Sequence, residues 1–213
     1  MALAPPIGVL GGTFDPIHYG HLRLALEVRE ALDLSEVRLV PNRAPPHRDA
    51  PRMDGARRAA WIRTAIAQTP GLVLDTCELE REEPSYMIDT LRALHAALPD
   101  SPLCLILGMD AFAGLLQWRE PEKIVQLAHL VLVPRPDTQV ALGLQLSNWL
   151  AERSVRDPAR LRAALGGLIY ECAITPLAIA ARQIRGLAAA GRNARYLLPD
   201  AVWAEIEQEG LYQ

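Results

Sequence analysis

The sequence of 213 residues predicts an α/β fold, a doubly wound and mostly parallel sheet with helices on both of its faces. Three observations lead to this prediction. Short apolar runs alternate along the chain with segments of helical spacing. The apolar runs hold few polar positions, as expected for strands that are covered on both faces. Most of the runs lead into a distinctive loop, and parallel sheets bind their ligands at such loops.

The apolar runs that predict strands end at glycine, at proline or at a polar loop. They cover residues 6–10, 37–40, 72–74, 103–107, 130–133 and 168–174. Apolar residues spaced three and four apart predict helices at 21–32, 57–67, 86–98, 140–152 and 158–165. Two more helices, 182–190 and 199–209, predict a helical subregion that begins at about residue 175. The length favours one domain over residues 1–213.

Composition places the chain among ordinary globular proteins. Half of its residues are hydrophobic and 22% are charged, which excludes a disordered chain and a fibre. The formal net charge of −3 argues against a nucleic-acid partner. A nucleotide-sized anion is still compatible with this charge, because a local arginine cluster can hold it.

The three cysteines, Cys77, Cys104 and Cys172, lie far apart and form no CxxC pair. This pattern fits neither a disulfide framework nor a zinc ribbon, and it predicts a cytoplasmic location. The first residues are apolar but lack a basic start, so we expect no signal peptide. No apolar run approaches the ~18–20 residues of a membrane span, so we expect no membrane partner. The sequence leaves the oligomeric state open, a homo-oligomer included.

The strongest chemical signal is the segment 11–22, GGTFDPIHYGHL. The first predicted strand ends at Gly11 and Gly12, which let the backbone pass close to a ligand. His18 and His21 then flank Gly20 at the predicted N-terminus of a helix, where N–H groups and the helix dipole favour anions. Two imidazoles at this spacing can donate to phosphate oxygens. They could also bind a metal, but the acidic third ligand of a zinc helix is missing, so we predict no metal ligands in the protein.

This segment resembles the signature of the nucleotidylyltransferase superfamily of the HxGH type. Four further segments resemble elements of bacterial nicotinate-nucleotide adenylyltransferases, namely PNRAPPHR at 41–48, SYMIDTL at 85–91, GMDAFAGLLQW at 108–118 and RYLLPDAVWAEIEQEGLY at 195–212. The matches cover nearly the whole chain in order, with least support at 139–165. The resemblance implies a Rossmann-like sheet and transfer of the adenylyl group of ATP to nicotinate mononucleotide. The products would be deamido-NAD, a precursor in NAD biosynthesis, and pyrophosphate.

The resemblance also implies roles for individual residues. The expected catalytic groups are His18, His21 and Arg185. The expected ATP contacts are Gly11, Gly12, Thr13, Phe14, His18, His21, Gly108, Asp110, Arg182 and Arg185. The expected contacts of the mononucleotide are Arg48, Ser85, Tyr86, Thr90, Trp118 and Arg135. Mg²⁺ is expected to be carried by the ATP phosphates and water rather than by a protein cage.

Several of these residues also have a structural interpretation. Asp110 could cap the helix that follows it, and Trp118 could be a half-buried packing residue. Outside the motifs, Arg57 and Arg58 are expected on a solvated helix face, and His129 is expected to be structural because it lies in an apolar strand pattern.

The chain departs from the family pattern at two places. The family often has lysine where this chain has Arg48. Its late element ISSTxIR appears here as IAARQIR at 179–185, without the hydroxyl residues. Arg185 is retained, but any helix cap or phosphate contact made by those hydroxyls must come from elsewhere. Arg182 is expected either to assist Arg185 at the phosphates or to point to solvent.

Two alternatives stay open at this point. The chain could be another HxGH adenylyl- or cytidylyltransferase, such as a pantetheine-phosphate adenylyltransferase, although SYMIDTL and the 195–212 segment argue against it. It could also be a non-catalytic nucleotide-binding module that has kept the fold and lost the chemistry. The altered residues 180–182 mildly favour the module, whereas intact His18, His21 and Arg185 argue against it.

Overall fold

The computed structural model describes residues 3–43, 50–134 and 141–213. Its strands are β1 (Ile7–Gly12), β2 (Glu36–Pro41), β3 (Leu72–Leu74), β4 (Leu103–Gly108), β5 (His129–Val133), β6 (Ser154–Val155) and β7 (Ile169–Glu171). They form one seven-stranded sheet in the order β3-β2-β1-β4-β5-β7-β6. Every strand pair in this sheet is parallel, which confirms the predicted fold class.

The helices are α1 (Tyr19–Ala31), α2 (Gly55–Ile66), α3 (Met87–Ala97), α4 (Met109–Ala113), α5 (Pro121–Leu127), α6 (Leu144–Arg153), α7 (Ala181–Ala189) and α8 (Asp200–Gln208). The predicted helix at 158–165 is instead a short 3₁₀ helix, Pro158–Arg162. Gly166 and Gly167 follow it closely, and the positive φ of Gly167 ends regular structure there. The sequence patterns did not predict α5, which has only seven residues, or the two-residue strand β6.

The sheet separates two hydrophobic cores, because successive strand residues point to opposite faces. On one face, Leu10 of β1 joins buried residues of α1, α2, α7 and α8. On the other face, Ile7 and Val9 join buried residues of α3, α5 and α6. Each fully buried aliphatic side chain contributes roughly 1.5–3 kcal/mol. Packing on both faces therefore explains why the strand sequences are almost uniformly apolar.

The order in which the chain adds strands to the sheet reverses between β1 and β4. From β1 the chain adds β2 and β3 on one side, then returns to place β4 and β5 on the other side. The carboxyl ends of these parallel strands lie at one edge, where open α/β sheets bind ligands. The loops after β1, β2, β4 and β5 therefore follow the same edge, as the sequence predicted. Residues 44–49 and 135–140, parts of two of these loops, lie outside the described residues.

The C-terminal helices cover the α2 side of the sheet. Trp203 of α8 is buried in the same core as Trp61 of α2. At the surface, Arg57 of α2 donates to Glu205 at 3.0 Å and to Glu209 at 2.6 Å. Across the parts of the chain that the structure describes, no helix is long and apolar enough to span a membrane.

His129 is a structural residue at the start of β5, as predicted. It is buried, and its Nδ1 accepts from the backbone N–H of Leu168 at 3.2 Å. Its Nε2 lies 2.9 Å from the carbonyl of Ala164, so this nitrogen carries the proton and donates. Burial lowers the pKa of His129 below its ordinary value. The neutral imidazole thus joins the segment before β7 to β5.

Candidate active site

The loop between β1 and α1 is shaped by two close contacts at glycine. A Cβ on Gly12 would lie 2.9 Å from the ring of Phe14, and a Cβ on Gly20 would lie 3.0 Å from Nδ1 of His18. Any larger residue at these places would push a ring out of position. Phe14 itself has a positive φ of 49°, and the Asp15–Pro16 peptide is cis. The backbone is therefore folded tightly where the sequence predicts phosphate binding.

His18 and His21 form a stacked pair at the N-terminus of α1. Their ring centroids are 3.6 Å apart and their planes differ by 21°. His18 is the extended N-cap residue of α1 and its side chain makes no cap hydrogen bond. His18 is only 4% exposed, whereas His21 is half-buried, so His21 is the more accessible imidazole. The N–H groups of Tyr19 and His21 donate to the carbonyls of Leu197 and His18. The two imidazoles still lie at the positive end of the α1 dipole, which favours an anion.

Phe14 packs against the pair formed by His18 and His21. Its ring meets His21 edge-on at a centroid distance of 4.9 Å, and its side chain is buried. The sequence prediction that Phe14 contacts ATP therefore needs correction for its side chain. The Phe14 ring fills the space next to Gly12 and packs against His21, and this contact fixes the position of the imidazole.

Arg185 reaches the same loop from α7. Its Nη1 donates to the backbone carbonyl of Asp15 at 2.7 Å, and the side chain is half-buried. Arg182, one turn earlier on α7, is exposed. The structure thus brings Arg185 together with the histidine loop and leaves Arg182 at the protein surface.

Arg58 is a buried residue beside the candidate site, and the sequence prediction of its environment was wrong. The prediction put it on a solvated face, but it is only 1% exposed. Its guanidinium donates to the carbonyls of Thr13 at 2.6 Å, Asn42 at 2.7 Å and Met53 at 3.0 Å. Burial lowers its pKa, and the charge of nearby Asp15 opposes that shift. Arg58 therefore joins the loops that follow β1 and β2.

Thr13 and Asn42 complete this junction. The Asn42 side-chain amide donates to the hydroxyl of Thr13 at 3.2 Å, and its backbone N–H donates to the carbonyl of Gly12 at 3.0 Å. Thr13 is half-buried, so part of its surface faces the ligand edge. The first residues of the β2 loop are in this way fixed against the proposed phosphate loop.

Gly108 and Asp110 lie across the sheet's switch point, at the end of β4. The helix α4 begins at Met109 with Gly108 as its N-cap, so Asp110 lies inside the first turn. The alternative that Asp110 caps this helix is therefore wrong. A Cβ on Gly108 would lie 2.6 Å from Oδ1 of Asp110, so the missing side chain makes room for the carboxylate. Asp110 is exposed and can accept hydrogen bonds from ribose hydroxyls.

The start of α3 lies next to the end of β1, at the same edge of the sheet. Tyr86 is the N-cap residue, and no side chain caps the helix, so its first N–H groups point out of the helix. A Cβ on Gly11 would lie 2.7 Å from Cε of Met87, which shows that this helix start rests on the end of β1. The hydroxyl of Ser85 accepts from the N–H of Arg43 at 2.9 Å, which ties this turn to the β2 loop.

Thr90 lies beneath this turn rather than in the cleft. It is fully buried, and its hydroxyl donates to Glu78 at 2.6 Å and accepts from Arg81 at 3.2 Å. Burial raises the pKa of Glu78, while hydrogen bonds from Thr90 and Ser85 oppose the rise. The prediction that Thr90 touches the mononucleotide is therefore corrected. Its hydroxyl is committed to holding the Ser85 turn.

The remaining predicted contacts of the mononucleotide divide into two groups. Trp118 is half-buried and packs on the same core as Tyr86 and Met87, so both of its predicted roles agree with its place. The Tyr86 ring is faced by the guanidinium of Arg119 at 5.1 Å. Arg48 and Arg135 lie outside the described residues.

Known proteins identify the fold and the family of this chain. Residues 9–182 match the cytidylyltransferase-like family. A Methylococcus capsulatus protein named "probable nicotinate-nucleotide adenylyltransferase" is 48% identical over 97% of this chain and 99% of its own length. A Pseudomonas fluorescens protein of the same name is 49% identical over 97% of both chains. A solved Plasmodium falciparum nicotinic acid mononucleotide adenylyltransferase, complexed with NaAD, has the same fold, with a TM-score of 0.76, 17% identity and 98% coverage of both chains.

The fold and these matches define the class of the protein, a nucleotidyltransferase of the cytidylyltransferase-like family. Within that class, the chain belongs to the nicotinate-nucleotide adenylyltransferases. The resemblance predicted from the sequence motifs is thereby confirmed.

A missing helix cap gives the first testable prediction. Ala180 is the N-cap residue of α7, with extended φ and ψ of −130° and 140° but no side chain that can cap. It stands where the family pattern has its first hydroxyl. We expect Ala180→Ser to raise the free energy of unfolding by about 1 kcal/mol. In a chain of this size, thermal melting should then rise by roughly 2–4 °C.

Arg182→Thr serves as the matched control for this prediction. It restores another hydroxyl of the family pattern, but residue 182 lies inside the first turn of α7 and cannot occupy the cap position. We expect no gain in melting temperature from it. Equal stabilisation by both variants would show that the gain does not come from capping.

Proposed function

We propose that this protein joins ATP and nicotinate mononucleotide to give deamido-NAD and pyrophosphate. One observation carries the proposal: the stacked imidazoles of His18 and His21, the helix start of α1 and the Arg185 guanidinium meet at one loop. Cationic and N–H donors gathered in this way suit a chain of phosphates. The names of the relatives supply the acceptor substrate.

The reaction needs alignment more than acid–base chemistry. A phosphate oxygen of the mononucleotide attacks the α-phosphorus of ATP, and a new P–O bond forms. The bond from the α-phosphorus to the bridging oxygen breaks, and pyrophosphate leaves with the electron pair. The nucleophile is already ionised near neutral pH, so no side chain has to remove a proton. The protein must hold two anions in line and stabilise the charge that builds on the leaving group.

His18, His21 and Arg185 are the proposed groups for that charge. The N–H groups at the start of α1 add fixed partial positive charge. Gly11, Gly12 and Thr13 are proposed to lie along the ATP phosphates, with Asp110 at the ribose across the switch point. In this arrangement the nucleotide crosses the sheet edge between β1 and β4.

The mononucleotide is proposed to bind at the start of α3. Backbone N–H groups there favour the carboxylate of nicotinate over the amide of nicotinamide, because only the carboxylate is negatively charged. Trp118 and Tyr86 offer aromatic surface for the pyridine ring. Ser85 and the buried Thr90–Glu78 pair keep this turn in place.

Mg²⁺ is proposed to enter with ATP as part of the substrate. Among residues 3–43, 50–134 and 141–213, no three His, Cys, Asp or Glu side chains are grouped so that they could hold a metal ion. The side chains proposed to contact the phosphates carry imidazole and guanidinium, which do not suit Mg²⁺, whereas phosphate oxygens and water do.

We further propose that residues 1–213 form one domain, because the C-terminal helices share a core with α1 and α2. A cytoplasmic location stays a prediction from the cysteine pattern. The three cysteines are free thiols in the structure, and two of them are buried.

The proposed function is tested by pyrophosphate release. Purified protein with MgATP should release pyrophosphate with nicotinate mononucleotide, and should do so with a lower kcat/KM for nicotinamide mononucleotide. Phosphopantetheine serves as the control acceptor and should give no release. Release with phosphopantetheine alone would overturn the assignment of the acceptor. Binding of ATP without release from any acceptor would point to a non-catalytic module.

A further inference from the structure

Asp15 is held from several directions, and two of its contacts come from the C-terminal subregion. Its carboxylate Oδ2 accepts from the backbone N–H of Arg52 at 2.7 Å, and its Oδ1 accepts from the hydroxyl of Tyr212. Its backbone carbonyl accepts from Arg185 at 2.7 Å. Asp15 is buried, and its hydrogen bond with Tyr212 is buried with it and protected from competing water.

The side-chain carboxylate and the backbone carbonyl of Asp15 therefore have different roles. The carboxylate fixes where the residue lies, since it is bound by the N–H that precedes α2 and by Tyr212. The carbonyl then fixes where the Arg185 guanidinium lies. A rotation of Asp15 would move this carbonyl and the arginine bound to it.

The hydroxyl of Tyr212 acts as a hydrogen-bond donor to Asp15. Its side chain is 6% exposed and lies near the ring of Trp61, at a centroid distance of 6.4 Å. Burial and the neighbouring Asp15 carboxylate raise the pKa of its hydroxyl, while the nearby charges of Arg58 and Arg185 oppose the rise. The hydroxyl keeps its proton and can donate it to Asp15. Gly210 and Tyr212 both have positive φ, which turns the chain back toward the loop.

We infer that Tyr212 is a positioning residue that acts through Asp15 to set the place of Arg185. It touches no substrate in this scheme. The inference deepens the proposed function, because it rests on Arg185 binding the phosphates of ATP.

Tyr212→Phe tests the inference, because it removes one oxygen and keeps the ring. A misplacement of about 1 Å at a reacting centre can cost up to about 10²-fold in rate. We expect Tyr212→Phe to lower kcat/KM for ATP about tenfold and to leave KM for nicotinate mononucleotide unchanged. Tyr170→Phe is the matched control, since Tyr170 is partly buried against the same core but lies on β7. It should retain full activity.

A double-mutant cycle distinguishes an effect of Tyr212 on the position of Arg185 from a general loss of rigidity in the surrounding structure. In an Arg185→Ala background, Tyr212→Phe should change kcat/KM for ATP less than twofold, because the group that it positions is gone. An unchanged tenfold loss in that background would overturn the inference. Wild-type kinetics in Tyr212→Phe alone would also overturn it.

Binding of α,β-methylene-ATP, measured by calorimetry, keeps this test independent of turnover. We expect Tyr212→Phe to weaken binding several-fold in the wild-type background and not in the Arg185→Ala background. If wild-type protein released no pyrophosphate, the proposed reaction would fail while this measurement still decided the inference. Equal affinities for wild type and Tyr212→Phe would count against it. If Tyr212→Phe melted below the assay temperature, Asp15→Asn would replace it in the same cycle. The Asp15 carboxylate accepts from Arg52 and from Tyr212 with different oxygens, and the asparagine amide has only one oxygen for these two positions.

Discussion

His21→Ala is expected to lower kcat/KM for ATP by about 10²–10³, the usual loss when one preorganised donor to developing charge is removed. His21 is the more accessible ring of the stacked pair, and it lies in the first turn of α1. In the proposed mechanism, the substitution removes one hydrogen-bond donor from the phosphates as the leaving pyrophosphate gains charge. Steady-state pyrophosphate release with varied ATP measures the effect. The loss should fall mainly on kcat, because the interaction strengthens in the transition state.

His95→Ala is the control for this variant. His95 is half-buried on α3 and takes no part in the proposed site. It should keep kcat/KM within about twofold of wild type, a margin far below the loss expected for a charge-stabilising donor. Near-full activity of His21→Ala, with unchanged melting temperature in both variants, would remove His21 from the mechanism.

Arg58→Met is expected to lower the free energy of unfolding by about 3 kcal/mol, because the buried side chain loses three hydrogen bonds to backbone carbonyls. The carbonyls belong to Thr13, Asn42 and Met53, and methionine can replace the volume of the side chain but none of its hydrogen bonds. In a chain of this size, the melting temperature should fall by roughly 6–12 °C. Calorimetric or circular-dichroism melting measures this change.

The neighbouring residue gives a stringent comparison. Arg57 immediately precedes Arg58 on α2 and makes two surface ion pairs, with Glu205 and Glu209. Exposed pairs of this kind contribute about 0–1 kcal/mol each, so Arg57→Met should cost far less than Arg58→Met. If the two variants melted at the same temperature, the buried contacts of Arg58 would not stabilise the fold as argued.

These two arginines also show where sequence reasoning ends. Both were predicted on a solvated face, since adjacent arginines in a helix give no sign of which one is buried. The burial of Arg58 depends on loops that lie 45 and 16 residues away in the chain. No local pattern contains that information. The three polar contacts become visible only when α2 is placed against β1 and β2.

The sheet was predictable for the opposite reason. β1, β4 and β5 are buried on both faces, so each appears as an unbroken apolar run that a sequence displays directly. Their connection through helices makes parallel pairing the expected arrangement. β6 could not be found in this way, because two residues paired only with β7 have no periodicity of their own.

The placement of the candidate site residues was predictable where they follow strand ends. His18, His21 and Asp110 lie shortly after the ends of β1 and β4, at helix starts whose composition differs sharply from that of the strands. Thr90 and Phe14 belong to the same motifs, yet their side chains are buried and support neighbouring groups. Motif membership therefore indicated the region of the site but not which side chains face the cleft. Tyr212 lay within a recognised segment, but its bond to Asp15 joins residues 197 positions apart.

That separation has a consequence for synthesis of the protein. Two of the contacts that hold Asp15 come from Arg185 and Tyr212, which follow it by 170 and 197 residues. At about 5–20 residues per second, a ribosome needs roughly 10–40 s to make the intervening chain. During that interval the nascent polypeptide can form β1 and α1, but neither residue can yet hold the loop between β1 and α1. The two contacts can form only after nearly all of the sequence has been translated.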